Sequence, residues 1–281
     1  MIKNYYSGMI AASLLLAFLT LIIVIINFFN IPIASSVFIF SLIWTVAAIL
    51  FLIMTYKSPQ VGFLLSVFCI LTVIRIMGVN GLYIAVAPAC LAFLILIILF
   101  FYIAYQNVHY FETSQQFSYG IPNRISAFEW HLTFIRMYIG YDLIAHFAEK
   151  LFAGPVSFQG DVKAFLGLGI TNPDFLVRLA GLCELGGAIA IGLGFLTRLG
   201  SLGITLYLII TTVLANHFQK GFIWANPGGG WEYPVMWAVL LLSFCVLGAG
   251  KYSIDASLQQ KFELPQWLQK LMGAPLPQSK T

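Results

Sequence analysis

The stretch Phe128–Leu151, FEWHLTFIRMYIGYDLIAHFAEKL, decides the fold. It is long enough to cross a bilayer, which takes about 20 predominantly apolar residues, and yet it is rich in ionisable side chains. Its charged or histidine residues are Glu129, His131, Arg136, Asp142, His146, Glu149 and Lys150.

These polar residues fall on one line when the stretch is drawn as a helix. At 100° per residue, the members within roughly 40° of that line are His131, Tyr138, Asp142 and Glu149. His146 lies about 60° from the line, and Arg136 points about 140° away from His131. A charged side chain at membrane depth costs about 2.5–3.5 kcal/mol. We therefore expect the stripe to face other protein and not lipid.

The composition identifies a polytopic membrane protein. Hydrophobic residues make up 60% of the 281 residues and charged residues 9%, and the mean hydropathy is +0.94. A soluble domain carries about 25% charged residues. The net charge of +4 comes without a basic patch, so we expect no nucleic-acid partner. Met1 opens a stretch that is interpreted as a membrane anchor and not as a cleaved signal peptide.

Eight apolar segments have the length of membrane spans, which predicts an all-α protein of two four-helix halves. The predicted spans are 8–29, 35–56, 61–79, 82–105, 128–150, 174–196, 199–217 and 233–250. The predicted regions are an N-terminal membrane region at 1–105, a cytoplasmic connection at 106–127, a second membrane bundle at 128–250 and an amphipathic tail at 251–281. In the tail, Ser253 and Asp255 are candidate helix caps, and Pro265 is expected to break it in two.

The lysine and arginine residues of the loops predict that both termini lie in the cytoplasm. With the N-terminus inside, the inner loops hold Lys3, Lys57, Arg124, Arg198, Lys251, Lys261, Lys270 and Lys280. The outer loops hold Lys150, Lys163, Arg178 and Lys220. Arg75, inside the third span near its outer end, is expected to snorkel or to pair across the bundle.

The second half brings titratable side chains to one depth, the outer half of the bilayer. The candidate ligand or proton-site residues are Asp142, His146, Glu149, Glu184, His217 and Glu232. The supporting charges are Arg136, Lys150, Arg178 and Arg198. Asp142 and Glu184 carry most of the argument, because an ionised carboxylate inside a span needs a cation or a proton. Lys220 at a helix C-terminus and Glu232 at a helix N-terminus lie at the favourable ends of the helix dipole, which favours capping for both.

Small residues surround Glu184 and predict close helix packing. Ala188 with Gly192, and Ala190 with Gly194, recur at four-residue spacing in AGLCELGGAIAIGLG. Such spacing lets neighbouring helices approach closely and would hold Glu184 away from lipid. The four cysteines each stand alone in apolar runs and are interpreted as buried, unreactive thiols.

The second half resembles the DoxX/DoxD family over roughly residues 128–256. The resemblance rests on Arg136 and Gly140, the Glu149–Lys150 pair, and the segments FLGLGITNPDFL, AGLCELGG, GLGFLTR, HFQKGF, GGGWEYP and GAGKYSID. It implies a four-helix membrane bundle associated with respiratory or redox complexes, in which some relatives are subunits of quinone-reducing thiosulfate oxidoreductases. The family's polar positions fall here on Glu149, Lys150, Glu184, Arg198, His217, Glu232 and Asp255. Residues 1–127 lie outside the resemblance.

Three functions are compatible with these features. The first is a quinone-interacting subunit of a membrane oxidoreductase, in which Glu184, His217, Asp142 and His146 supply polar groups and a partner subunit brings the electron carrier. The second is a transporter of a small solute or protons. The third is a structural or assembly protein, and a homo-oligomer is compatible with each. We expect no metal site and no cofactor of its own other than a candidate quinone. The expected location is the bacterial cytoplasmic membrane.

Overall fold

The computed structural model describes residues 2–109 and 125–273, and all regular secondary structure within them is helical. The predicted connection at 106–127 lies for the most part outside them, and so does the end of the tail after residue 273. The N-terminal region consists of four long apolar helices: α1 (Ile2–Asn30), α2 (Ser35–Met54), α3 (Pro59–Val79) and α4 (Tyr83–His109).

The second half contains the other helices of the described chain. They are α5 (Ala127–Leu151), α6 (Pro155–Gly167), α7 (Pro173–Gly187), α8 (Thr197–Leu214), α9 (Glu232–Leu247), α10 (Ile254–Lys261) and α11 (Gln266–Met272). A π-helical turn, Ala188–Gly192, continues α7. The sequence predicted no separate helix at α6, because its 13 residues are too few and too polar for a span.

Six helices of the described chain are long and apolar enough to cross a membrane, so this is a multi-pass membrane protein. They are α1 to α4, α7 with its π turn, and α8. The expectation of eight spans is therefore confirmed only in part. The helix α5 is long enough, but its charged residues lower its hydropathy, and α9 has only 16 residues.

Local sequence signals explain where several helices begin. Ser126 and Glu129 form a capping box at the start of α5, in which each side chain accepts from the other residue's backbone N–H. Ser253 caps α10 by accepting from the Ala256 N–H, and Pro265 precedes α11, as predicted for the tail. Asp255 does not cap its own helix, because its carboxylate lies against the start of α8.

The two halves are joined through α3, which packs against α5. Hydrogen bonds connect residues of α3, or the residue that follows it, to the second half of the chain. Gln60 donates to the Ser253 carbonyl over 2.7 Å, Tyr141 to the Leu64 carbonyl over 2.9 Å, and Asn80 to the Ala153 carbonyl over 3.0 Å. The N-terminal region therefore covers one side of α5.

The close helix packing predicted around Gly192 is present, and its partner is Gly140 on α5. A Cβ added at Gly140 would overlap the backbone N and Cα of Gly192, and one added at Gly192 would overlap the Tyr141 ring. Two helix backbones can approach this closely only where both positions lack a side chain. This contact fixes α5 against the π-helical turn.

Most of the polar stripe of α5 is exposed in the described chain, so the expected protein neighbour is not another part of it. Glu149, which pairs with Arg75, is the exception. His131, Asp142 and His146 are exposed, and Tyr138 is 64% exposed. Arg136, on the opposite side of the helix, is fully buried. The helix packs its apolar residues and Arg136 against α3 and α7 and leaves the polar line outside.

Candidate functional site

Glu184 on α7 is the centre of a buried polar cluster formed with residues of α5 and α8. It is 5% exposed. Its Oε1 accepts a hydrogen bond from the Tyr207 hydroxyl over 2.7 Å. Its Oε2 lies 3.1 Å from the Lys150 ammonium, an ion pair in which the ammonium is not aligned as a hydrogen-bond donor to that oxygen. We call Lys150, Glu184 and Tyr207 the outer cluster.

Helix geometry brings these three side chains together. Lys150 lies in the last turn of α5, while α7 and α8 run antiparallel, so that Glu184 stands opposite Tyr207 and Gly187 packs on Ile204. The small Gly181 accommodates the Lys150 and Leu151 side chains beside α7. An acid, a base and a phenol therefore converge where little water reaches them.

Asp161 on α6 stands near this cluster. It lies close enough to Tyr207 for its charge to act on the phenol, and its Oδ2 is buried without a hydrogen-bond partner in the described chain. The helix α6 packs on α7 through Phe158, Val162 and Val177. A second carboxylate thus lies on the helix that borders the outer cluster.

Other predicted site residues form separate contacts. Glu149 pairs with Arg75 of α3, which confirms that Arg75 pairs across the bundle. Arg178 lies 4.3 Å above the Phe158 ring centre, a cation–π contact that holds α6 on α7. Glu149, Arg75 and Arg178 thus connect helices near the end of α5, and none of them contacts Glu184.

His217 and Glu232 order the loop between α8 and α9. The His217 Nδ1 lies 2.7 Å from the Gly229 carbonyl, and its ring lies 5.5 Å from that of Trp224. Lys220 donates to the Ala215 and Gly228 carbonyls, while Glu232 accepts from the Trp224 N–H over 3.1 Å. The helix-end interpretation of Lys220 and Glu232 agrees with these contacts.

Asp142 and His146 lie on the exposed face of α5 and do not join the outer cluster. Neither side chain has a hydrogen bond or ion pair among the residues that the structure describes. The six candidate residues therefore lie in four places: Glu184 in the buried cluster, Glu149 beside Arg75, His217 and Glu232 in the loop, and Asp142 and His146 on the exposed face of α5.

Arg136 and Asp255 form a second buried polar set, beside the π-helical turn and the start of α8. Arg136 donates to the Ile191, Gly192 and Tyr252 carbonyls, and so binds the end of the π-helical turn. Asp255 accepts from the Leu196 and Thr197 N–H groups over 2.8 and 3.0 Å. Burial raises the pKa of Asp255 to about 6, against the hydrogen bonds from Thr197, which lower it. These two side chains supply hydrogen-bond partners for the backbone groups that are left unpaired where α7 ends and α8 begins.

Arg198 and the cysteines complete the predicted polar and thiol positions. Arg198 reaches the Val246 carbonyl at 3.4 Å and packs beside Gly273.

Of the four free cysteines, Cys69 is buried, whereas Cys90 and Cys183 are exposed. The expectation of four buried thiols is therefore wrong, because Cys90 and Cys183 lie on the outward faces of apolar helices. The described residues contain no group of three or more metal-binding side chains.

Sequence reasoning missed Tyr207 and Asp161. Tyr207 is the one aromatic residue within α8, in a run of aliphatic residues and threonines, and a lone tyrosine in such a run needs a partner for its hydroxyl. That signal was available, although it does not identify the partner. Asp161 lies in a segment that was interpreted as a loop.

Comparison with known proteins supports the resemblance for part of the second half. Residues 131–217 match the family described as DoxX. An uncharacterized protein of Haemophilus influenzae is 26% identical over 132 residues, which are 47% of this chain and 93% of that protein. No solved structure matches.

Proposed function

Residues 131–217 form a DoxX family domain, and on this premise we propose that the chain is a quinone-interacting subunit of a membrane oxidoreductase. The observation that carries the proposal is the buried Glu184, which is held between the Tyr207 hydroxyl and the Lys150 ammonium. A quinone headgroup needs hydrogen-bond donors for its carbonyl oxygens and a group that exchanges protons.

Each member of the outer cluster has a role in this proposal. The Tyr207 hydroxyl, which donates to Glu184 in the free protein, turns to a quinone carbonyl oxygen, and Lys150 donates to that oxygen as well. Glu184 passes both protons to the quinone in turn and takes up each one from water, while the partner subunit supplies the two electrons. The Glu184 Oε2 lies beside the Lys150 ammonium but has no aligned hydrogen bond in the described chain, so it has acceptor capacity left for a ligand. These groups act strongly because they lie in a site of low dielectric constant.

The surface beside the cluster offers room for an apolar tail. Gly203 on α8, one turn before Tyr207, is exposed, and an added Cβ there would meet nothing within 4 Å. The neighbouring Leu206 is exposed as well. A tail lying there would stay in the hydrocarbon region while the headgroup enters between α7 and α8.

The proposal includes eight membrane passes, with both termini in the cytoplasm and the outer cluster near the outer face. We infer that α5 crosses the membrane because it packs between α3 and α7 along its length. The helix α9 crosses as the partner of α8, on which it packs. The expected location is the bacterial cytoplasmic membrane, in agreement with the distribution of loop charges.

Electrons must come from a partner subunit in this scheme. Reduction of the quinone needs a donor, and the proposal assigns that donor to a redox partner in the membrane complex. This protein then supplies the headgroup site and the proton-exchanging carboxylate.

Quinone content tests the proposal. The protein is purified in mild detergent and extracted with organic solvent, and quinone is measured per chain. We expect stoichiometric quinone in the wild type and a large loss in Glu184→Gln and in Tyr207→Phe. Glu232→Gln is the matched control, because Glu232 binds only the loop. A folded wild type without quinone, or unchanged quinone in both cluster variants, would contradict the proposal.

A structural role for the cluster is the second candidate. It is favoured by the pairing of Glu184 with groups from two other helices, since buried polar networks can hold a membrane bundle together. In that case Glu184→Gln lowers thermal stability, and the purified wild-type protein contains no quinone. The same purification therefore separates the two roles.

A further inference from the structure

One face of α5 lacks cover from the described chain. His131, Tyr138, Asp142 and His146 are exposed along it, whereas the residues on the other sides of α5 are buried. We call this set the α5 face. Asp142 and the two imidazoles make no hydrogen bond or ion pair within the residues that the structure describes.

The depth of Asp142 makes lipid an unsuitable neighbour. Glu149, which pairs with Arg75, marks the outer end of the helix. Asp142 lies seven residues earlier, about 10 Å deeper along the axis. If α5 crosses the membrane, as proposed above, Asp142 lies within the hydrocarbon region, where a carboxylate costs about 2.5–3.5 kcal/mol. Another protein surface removes that cost if it supplies a partner.

We propose that a second copy of this chain covers the α5 face, in a dimer whose two-fold axis is normal to the membrane. The face is self-complementary in charge, because it carries an acid, Asp142, and a base, His146, one turn apart. A two-fold axis places the same patch on both subunits. This axis keeps equal residues at equal depth, so the two Asp142 carboxylates approach each other. The nearest base of the other copy is then its His146 imidazole, about 6 Å along the helix axis, and a shared proton or this diagonal pair compensates the charge.

The spacing along the face agrees with a pair of parallel helices. The residues along its centre are His131, Ile135, Tyr138, Asp142, Ala145 and Glu149. They alternate in steps of four and three, the period of about 3.5 residues at which two helices pack along a left-handed seam. A polar residue at one such position favours a single register and a single oligomeric state.

Aromatic pairs connect α5 to the helices on either side of the α5 face. Phe134 lies 5.4 Å from Phe101 of α4, and Tyr138 lies 6.5 Å from Trp237 of α9 between ring centres. Aromatic residues are enriched in the well-packed centres of protein interfaces. Here they would exclude lipid from the charged residues between the two copies.

Disulfide crosslinking in membranes tests the dimer. In a background in which the four native cysteines are alanine, we introduce Ala145→Cys on the α5 face or Leu206→Cys on the exposed side of α8. Ala145→Cys should form a disulfide-linked homodimer under mild oxidation, and Leu206→Cys should not crosslink. Failure of Ala145→Cys to crosslink, a crosslink to a different protein, or efficient crosslinking only from α8 would overturn the proposal.

Asp142→Leu separates a dimer interface from a lipid-facing surface. In lipid nanodiscs or mild detergent, the dimer of Asp142→Leu should dissociate at least about tenfold more readily than the wild type, which corresponds to 1.4 kcal/mol. On a lipid-facing surface the same change would improve burial and leave the oligomeric state unchanged. A wild type that is monomeric across the tested concentrations would also contradict the proposal.

Discussion

At the residue scale, two buried acids hold the second half together in different ways. Glu184 is paired with a lysine and a tyrosine from neighbouring helices. Asp255 instead accepts from the backbone at the start of α8 and from the Thr197 hydroxyl. In the proposed function the first acid exchanges a proton with a quinone, whereas the second completes the hydrogen bonds of a helix end.

Removing the charge of Glu184 should destabilise the fold unless Lys150 is removed with it. Breaking a buried pair on one side costs about 3–5 kcal/mol, because it leaves the other charge uncompensated. We expect Glu184→Gln to lower Tm in detergent and Lys150→Met to restore part of that loss in the double variant. Thermal unfolding measures both, with Asp174→Asn as an exposed control. Equal Tm values for Glu184→Gln and wild type would contradict the pairing.

Asp255 should make stability depend on pH between about 4 and 6. The pKa of its carboxyl group is about 6 in the folded protein, whereas the ordinary value for aspartate is 3.8. Between these values the folded state keeps the proton that the unfolded state has lost, so the free energy of unfolding falls as the pH rises, by up to about 1.4 kcal/mol per pH unit. Above pH 6 this contribution is constant.

Thermal unfolding across pH 4–7 checks this dependence against Asp255→Asn, which does not titrate. The Tm of the wild type should fall more steeply with rising pH than that of the variant. Parallel curves, or a wild type that gains stability through this window relative to the variant, would contradict the assignment.

At the element scale, close backbone contact decides how α5 packs. The glycines at 140 and 192 meet where α5 crosses the π-helical turn, and Arg136, one turn earlier, binds the carbonyls of that turn. The small residues near Glu184 predicted such an approach, but they could not predict that Gly140 is the partner. The π-helical turn itself has no sequence signal that periodicity detects.

Gly140→Ala should separate α5 from the π-helical turn. The added methyl group would overlap the Gly192 backbone, and overpacking of this kind typically costs about 1–3 kcal/mol. Gly160→Ala in α6 is the matched control, because its methyl group would meet nothing within 4 Å and alanine favours a helix. We expect a lower Tm for Gly140→Ala and an unchanged or higher Tm for Gly160→Ala. The reverse order would show that the helices do not meet at this contact.

At the scale of the whole molecule, most helices could be predicted and most side-chain partners could not. Apolar run lengths and proline or glycine breaks predicted the helices, because burial in lipid demands them. The stripe of α5 was predicted to face other protein, but the protein surface that covers it could not be predicted, since amphipathicity identifies a polar stripe and not its neighbour. Composition cannot show that buried Arg136 faces backbone carbonyls while Asp142 faces outward. Tyr207 stayed hidden because its partner lies 23 residues away on another helix.

The eight-pass arrangement predicts on which side of the membrane three segments between or after the membrane helices lie. In a cysteine-free background, Lys57→Cys, Lys163→Cys and Gln260→Cys place thiols at exposed positions after α2, in α6 and in α10. Only Lys163→Cys should react with a membrane-impermeant thiol reagent in intact cells, and all three should react after lysis. Labelling of Gln260→Cys in intact cells would show that α9 does not cross, and protection of Lys163→Cys would show the same for α5.

Binding of a short-chain quinone to the purified protein is the most direct test of the outer cluster. The affinity is measured by titration for the wild type, for Tyr207→Phe, and for Tyr233→Phe as a control with an exposed hydroxyl. Loss of one hydrogen bond, worth about 1 kcal/mol, should weaken binding about fivefold in Tyr207→Phe and leave Tyr233→Phe unchanged. Equal affinity in wild type and Tyr207→Phe, or no saturable binding to a folded wild type, would contradict a quinone site at Lys150, Glu184 and Tyr207.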